Sequence, residues 1–152
     1  RTFSAGSNEL FDVFLSYNIN DKDVVKGIYY VLKNMGFKVY VDFMVDPQLD
    51  RRSVTKETAE CIQSRLKHSK SLIYAQSSNA AMSKWMPWEL GVVDGNTSKC
   101  FIMPVQQGYE IINSRQEYLL LYPVIGINTS SELRVYDSES SNYSRPLAEC
   151  LR

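Results

Sequence analysis

The stretch FDVFLSYNINDKDVVKGIYYVLKNMGFKVYVDF, residues 11–43, changes its apolar period twice. Phe11 to Tyr17 is short, β-prone and mostly apolar, the composition of a strand covered on both faces. The period then lengthens. Val24, Val25, Ile28, Val31, Leu32 and Met35 recur at helical spacing, behind a cap at Asn20 or Asp21 and ahead of Gly36, which stands where a C′ glycine ends a helix. Phe37 to Phe43 returns to β-prone residues as a second strand. A strand, a helix and a strand in this order predict a parallel βαβ unit.

The rest of the chain repeats the alternation. A polar loop, MVDPQLDRRS, follows Phe43 and carries Asp46-Pro47 and Arg51-Arg52. Ser53 or Thr55 opens the next helix, with Glu57 and Glu60 early, Arg65, Lys67 and His68 late, and Ala59, Ile62 and Leu66 as its buried stripe. Ser71 to Gln76 is a third strand, SKWMPWELGVVDG opens a third helix, and Cys100 to Val105 is a fourth strand with Pro104 near its end. A short helix is expected within 108–121, a fifth strand over Tyr122 to Asn128 and an edge segment over Leu133 to Tyr136. Ser138 to Ser144 reads as a polar linker before a last short helix, Pro146 to Leu151. Right-handed crossovers then give a flavodoxin-like, doubly wound α/β sandwich with a five-stranded, mainly parallel central sheet flanked by helices. Such folds bind ligands at the carboxyl ends of their strands, where the loops after Tyr17, Phe43 and Gln76 gather.

Bulk properties narrow the function. The chain has 152 residues, 44% hydrophobic and 22% charged, enough for one domain with its own core. Residues 1–9 read as a linker remnant and residues 10–152 as a single domain excised from a longer protein. Seventeen basic and seventeen acidic side chains cancel, which argues against nucleic acid or an anionic membrane surface as partner. No apolar run reaches the roughly 18 residues of a membrane span, and no secretion signal opens the chain. Cys61, Cys100 and Cys150 are odd in number and far apart, a pattern of reduced thiols in the cytoplasm. The lone His68 argues against a metal site or a His-assisted nucleophile; it reads as a cation near a helix C-terminus. Asn96, Asn128 and Asn142 begin N-x-S/T triplets, read as chance matches. GxGxxG and Walker A sequences are absent, which argues against a dehydrogenase or an NTPase.

The candidate chemistry sits in SKWMPWEL, residues 83–90, which holds both tryptophans and Glu89. Pro87 is acceptable only in a first turn, so the helix starts near Ser83 or Met86. Trp85 and Glu89, four apart, then share a face, with Trp88 a third of a turn aside. Indole rings beside a carboxylate desolvate it and offer a flat face to a planar or cationic ligand. O-glycoside cleavage needs two carboxylates because its leaving group must be protonated. The nicotinamide of NAD+ already carries positive charge and leaves as a neutral base, so one glutamate can suffice to stabilise the oxocarbenium-like ribose. The plainer reading of the same residues is a core tryptophan pair with Glu89 as a solvated first-turn charge.

Three motifs in order carry a family resemblance over about residues 10–128. FDVFLSY followed by Asp21 resembles the first box of TIR (Toll/interleukin-1 receptor) domains. GFKVYVDF with its arginine-containing loop resembles the second strand and BB loop, and SKWMPWEL is similar to the Trp-x-x-x-Glu helix of the bacterial, NAD+-cleaving group. The resemblance implies an NAD+ glycohydrolase or cyclase with Glu89 catalytic, Trp85 beside the nicotinamide, and Tyr17 and Asn18 lining the pocket. Several family members carry arginine where Asn18 stands. Asp42 and Phe43 match the end of the second strand, and the loop from Asp46 to Ser53 borders the pocket. Arg51 and Arg52 read either as a diphosphate clamp or as a solvated loop, and Trp88 either as ligand contact or as packing against a helix or a partner chain. No cofactor is implied, NAD+ being the substrate. The products expected are nicotinamide with ADP-ribose or a cyclic isomer, in bacterial immune, anti-phage or virulence signalling, with TIR–TIR self-association. Two other readings are a non-catalytic TIR module acting through homotypic contacts and a nucleoside deoxyribosyltransferase on a similar fold.

Overall fold

In the computed structural model, which describes residues 8–52, 55–105, 117–138, 141 and 143–152, strands and helices alternate through β5. β1 (Val13–Ser16) leads through a 3-10 turn (Ile19–Asp21) into α1 (Lys22–Asn34) and β2 (Val39–Tyr40). α2 (Asp42–Val45) is a single turn, and α3 (Lys56–Lys67) returns the chain to β3 (Leu72–Gln76). α4 (Met86–Thr97), β4 (Cys100–Pro104), β5 (Val124–Ile127), β6 (Leu133–Tyr136), β7 (Ser144–Pro146) and α5 (Leu147–Cys150) complete the fold.

The sheet order is β2-β1-β3-β4-β5-β6-β7. β1 to β5 pair in parallel, and β6 and β7 add antiparallel. The five expected strands are all present in the flavodoxin order, and two more extend the sheet beyond them. Leu133 to Tyr136 is therefore not an edge, because β7 pairs along its outer side. The strand order reverses between β1 and β3, so the ligand crevice of this fold lies above the carboxyl ends of those two strands.

Period-2 alternation divides the core between the two faces. Val13, Leu15 and Tyr17 pack on one face with Val25 and Leu32 of α1, while Phe14, Leu72 and Tyr74 pack on the other with Ile62 and Leu66 of α3 and Leu90 and Val93 of α4. The buried stripe of α1 is narrower than its apolar spacing predicts: Val31 and Met35 are exposed. Leu32 takes the contact, and Val31 lies a third of a turn from it. Gly36 ends α1 with φ +94°, a conformation open to glycine without strain.

The second strand is shorter than predicted. Only Val39 and Tyr40 pair, and the chain turns helical at Asp42, so Asp42 and Phe43 belong to α2 rather than to a strand end. Off the sheet, Asp42 gains partners that a ladder would deny it: Tyr17 Oη and the Arg51 guanidinium. The loop that follows is tethered at its root. Buried Asp46 accepts from Tyr40 Oη (2.8 Å) and pairs with Arg65 Nε (3.0 Å) and Nη2 (3.1 Å). Thr55 caps α3 by accepting from Thr58 N at 3.2 Å, and His68 sits at its C-terminus with Nδ1 2.7 Å from the Ser64 carbonyl. The other cap candidate, Ser53, lies outside the described residues, as do most of the helix expected within 108–121 and Asn142. Of that segment the structure describes a 3-10 turn, Glu117–Leu121.

Candidate active site

Ser16 ends a strand whose four residues are all buried. A hydroxyl there must find a partner, and it donates to Glu89 Oε1 at 2.7 Å. Glu89 comes from the first turn of α4, where Pro87 is tolerated because its missing N–H would have no helical partner. Trp85 precedes the helix but already has helical dihedrals, so Glu89 N donates to the Trp85 carbonyl at 2.9 Å. The expected four-residue spacing is thus kept by the backbone. Glu89 is fully buried, at 0% exposure, so it is not a solvated charge.

Arg51 brings the two faces of the sheet edge together. Its Nη1 pairs with Glu89 Oε2, and its Nε lies 2.6 Å from Asp42 Oδ2. Tyr17 Oη donates to the other oxygen, Asp42 Oδ1, at 2.5 Å. Trp85 Nε1 donates to the Arg51 carbonyl at 3.0 Å, and the Arg51 guanidinium lies 5.9 Å from the centre of the Trp85 ring. Burial works to lower the Arg51 pKa, but the charges of Glu89 and Asp42 outweigh it and push it up, so the guanidinium stays charged. Burial, then the charge of Asp42, pushes the Tyr17 hydroxyl up and keeps it a neutral donor.

A cavity of about 780 Å3 opens beside this cluster. Tyr17, Asn18, Asp42, Phe43, Arg51, Arg52 and Trp85 line it, together with Lys22 and Lys84. Glu89 does not line it; Arg51, which does, sits on the glutamate. The Tyr17 and Phe43 rings meet edge to face at 5.7 Å, with Lys22 Nζ 5.0 Å from the Phe43 ring centre. A second cavity of about 550 Å3, walled by Met103, Val124, Ile125 and Leu133 among others, has no carboxylate in its lining.

The structure therefore gathers Glu89, Trp85, Tyr17, Asp42, Phe43 and Arg51. Asn18 lines the cavity, but its amide donates to the Asn79 carbonyl at 3.1 Å and its oxygen caps Asn20 N, so it serves the rim. Arg52 is exposed and pairs with Asp50. Trp88 is 37% exposed and outside the cavity lining, its ring 5.7 Å from that of Trp85. Ser53 lies outside the described residues. Sequence reasoning missed Ser16, Lys22 and Lys84. The one available signal was Ser16 itself, a polar residue near the end of a mostly apolar strand. Burial raises the thiols of Cys61 to about 11 and Cys100 to about 12, so neither is a nucleophile at neutral pH. Among the described residues no three His, Cys, Asp or Glu side chains converge to hold a metal.

A family model described as a TIR domain matches residues 13–125. The chain is 40% identical over 143 residues to a Bacillus cereus (strain MSX-D12) protein named a probable 3′ cyclic ADP-D-ribose synthase, ThsB′, covering 91% of this chain and 74% of that protein. It is 27% identical over 85 residues to a Cytobacillus dafuensis protein named as a candidate cyclic ADP-D-ribose synthase, TIR2, covering 55% of this chain and 22% of that one. A solved TIR domain, from the Toll-related receptor TRR-2 of Hydra magnipapillata, superposes with a TM-score of 0.48 at 19% identity, over 65% of this chain and 76% of that domain.

Proposed function

This chain belongs to the TIR domain family, and from that premise we propose that it cleaves NAD+ between nicotinamide and ribose, closing the remaining ADP-ribose into a cyclic isomer. The observation that carries the reading is the company Glu89 keeps. A fully buried carboxylate already holds a planar cation, the Arg51 guanidinium, with an indole ring 5.9 Å away. The nicotinamide of NAD+ is also a planar cation on an aromatic-lined path, and Trp85 supplies the face it stacks on.

NAD+ displaces Arg51 from Glu89 and takes its place. The C1′–N bond then breaks, its electron pair leaves with nicotinamide, and the positive charge passes to the ribose. The Glu89 carboxylate stabilises that charge in a site from which bulk water is largely excluded, where a fixed anion is worth far more than in water. A ribose hydroxyl of the same molecule attacks C1′ and passes its proton to the Glu89 carboxylate, giving the cyclic product; attack by water, its proton going the same way, gives linear ADP-ribose instead. Asp42 and Tyr17 hold the cavity side of the site. The released Arg51, with Arg52, Lys22 and Lys84 lining the same cavity, meets the diphosphate. The names of the two relatives support the cyclic product. The reading extends to bacterial immune or anti-phage signalling in the cytoplasm, with assembly through TIR–TIR contacts; no helix among the described residues is long and apolar enough to cross a membrane.

Chromatography of the products formed from NAD+ over a range of protein concentrations tests the proposal. Nicotinamide in equal amount with a cyclic ADP-ribose isomer is the expected result. NAD+ left intact at every concentration would overturn it.

A further inference from the structure

We propose that Ser16 is the positioning residue for Glu89: its hydroxyl fixes one carboxylate oxygen from within the sheet so that the other faces the cavity. The inference rests on Glu89 as the reacting carboxylate. Among the described residues the Glu89 side chain has two partners, one on each oxygen: Ser16 on Oε1 and Arg51 on Oε2.

The two partners differ in mobility and in charge. Arg51 lies on the loop between α2 and α3 and lines the cavity, so a substrate that reaches Glu89 must first move it. Ser16 lies on β1, where it pairs with Tyr74 of β3, and it lines neither cavity. At 0% exposure its hydroxyl has no water competing for the bond. When the guanidinium leaves, Ser16 is the partner that remains.

A hydroxyl is suited to this work because it donates a hydrogen bond without neutralising the acceptor. The 2.7 Å separation fits a hydroxyl donating to a carboxylate. Glu89 keeps its full charge for the oxocarbenium-like ribose, while three side-chain torsions are reduced to one direction. Arg51 cannot do the same, since it cancels the charge it holds. A displacement of about 1 Å in a reacting group can cost on the order of 100-fold in rate. Loss of the Ser16 hydroxyl should therefore fall on the chemical step and spare substrate affinity. A serine that merely fills the core predicts lower stability with unchanged kcat.

Steady-state nicotinamide release by the wild-type domain, Ser16→Ala and Ser16→Thr separates these roles, with thermal melting to establish folding. The expected result is a fall in kcat of about 10- to 100-fold for alanine with KM little changed, and recovery of most of kcat in threonine, which keeps the hydroxyl. Should the alanine variant not fold, Ser16→Cys, which fills the space with a weak donor, should show the same loss. A folded alanine or cysteine variant with wild-type kcat overturns the assignment, as does a folded threonine variant no better than alanine. A wild-type domain that releases no nicotinamide instead overturns the activity, and this assignment with it.

Discussion

Arg51 and Glu89 form an ion pair whose two sides come from different elements, the loop after α2 and the first turn of α4, and Glu89 has no exposure beneath it. The protein's own cation therefore sits on the buried carboxylate. Asp42, 2.6 Å from Arg51 Nε, adds a second carboxylate to the same guanidinium.

Removing that cation should leave a subsite that binds small planar cations. With Arg51→Ala, two carboxylates remain beside the Trp85 ring and no counter-ion holds them. Breaking a largely buried pair costs about 3–5 kcal/mol, and the 16% exposure of the Arg51 side chain places the loss toward the lower end of that range. Calorimetry should show N1-methylnicotinamide, which has the ring and charge but no phosphates, binding at least about 10-fold more tightly to the variant, and thermal melting should show it restoring part of the lost stability. Weaker binding than to wild type would mean that Arg51 supports the cation subsite rather than occupying it.

The root of the loop should act as a stability anchor. Asp46 and Arg65 have side-chain exposures of 0% and 4%, and the pair also holds Tyr40 Oη. Among the described residues, Arg65→Met leaves the Asp46 carboxylate buried with only the Tyr40 hydroxyl and the weak Cys61 thiol as side-chain donors. Urea unfolding should show a loss of about 3–5 kcal/mol, part of which returns in the double variant Asp46→Leu/Arg65→Met. A single variant as stable as wild type would contradict a buried pair.

Two phenols give the molecule an alkaline limit. Burial first, then the charge of Asp42 for Tyr17 and of Asp46 for Tyr40, holds both above the ordinary value of 10.0. A raised folded value means that the folded state keeps a proton the unfolded chain releases. Their contribution to stability is whole below about pH 10 and is lost as pH climbs from there toward the raised values. Phenolate absorbance should show these two tyrosines, with Tyr74 and Tyr122, which burial also pushes up, un-ionised after the exposed ones have titrated, and urea midpoints should fall as pH rises above about 10. Full titration of every tyrosine near pH 10 in the folded domain would contradict the burial of these hydroxyls.

The fold was legible because its signals are local and repeated. The apolar run at Val13–Ser16, the helical stripe of α1 and Gly36 lie in one short stretch, and the order of the first five strands follows from parallel crossovers. The Trp85–Glu89 relation was legible because it spans one helical turn. What escaped depends on distant partners. Nothing in the loop sequence distinguishes Arg51 from Arg52; one is drawn inward by Asp42 and Glu89, and the other pairs with Asp50 in solvent. Asp42 leaves the predicted strand because Tyr17 and Arg51 wait beside it. Ser16 was visible as a strand residue, but its role required knowing that α4 lays Glu89 against the end of β1.

Nicotinamide release by wild type and Glu89→Gln at equal, high protein concentration decides whether Glu89 carries the chemistry. Glutamine keeps the size and a bond to Ser16 but lacks the charge. The expected result is a loss of about 100- to 1,000-fold in kcat, the scale of removing a main electrostatic stabiliser, with the fold intact. Equal rates in the two proteins would contradict it.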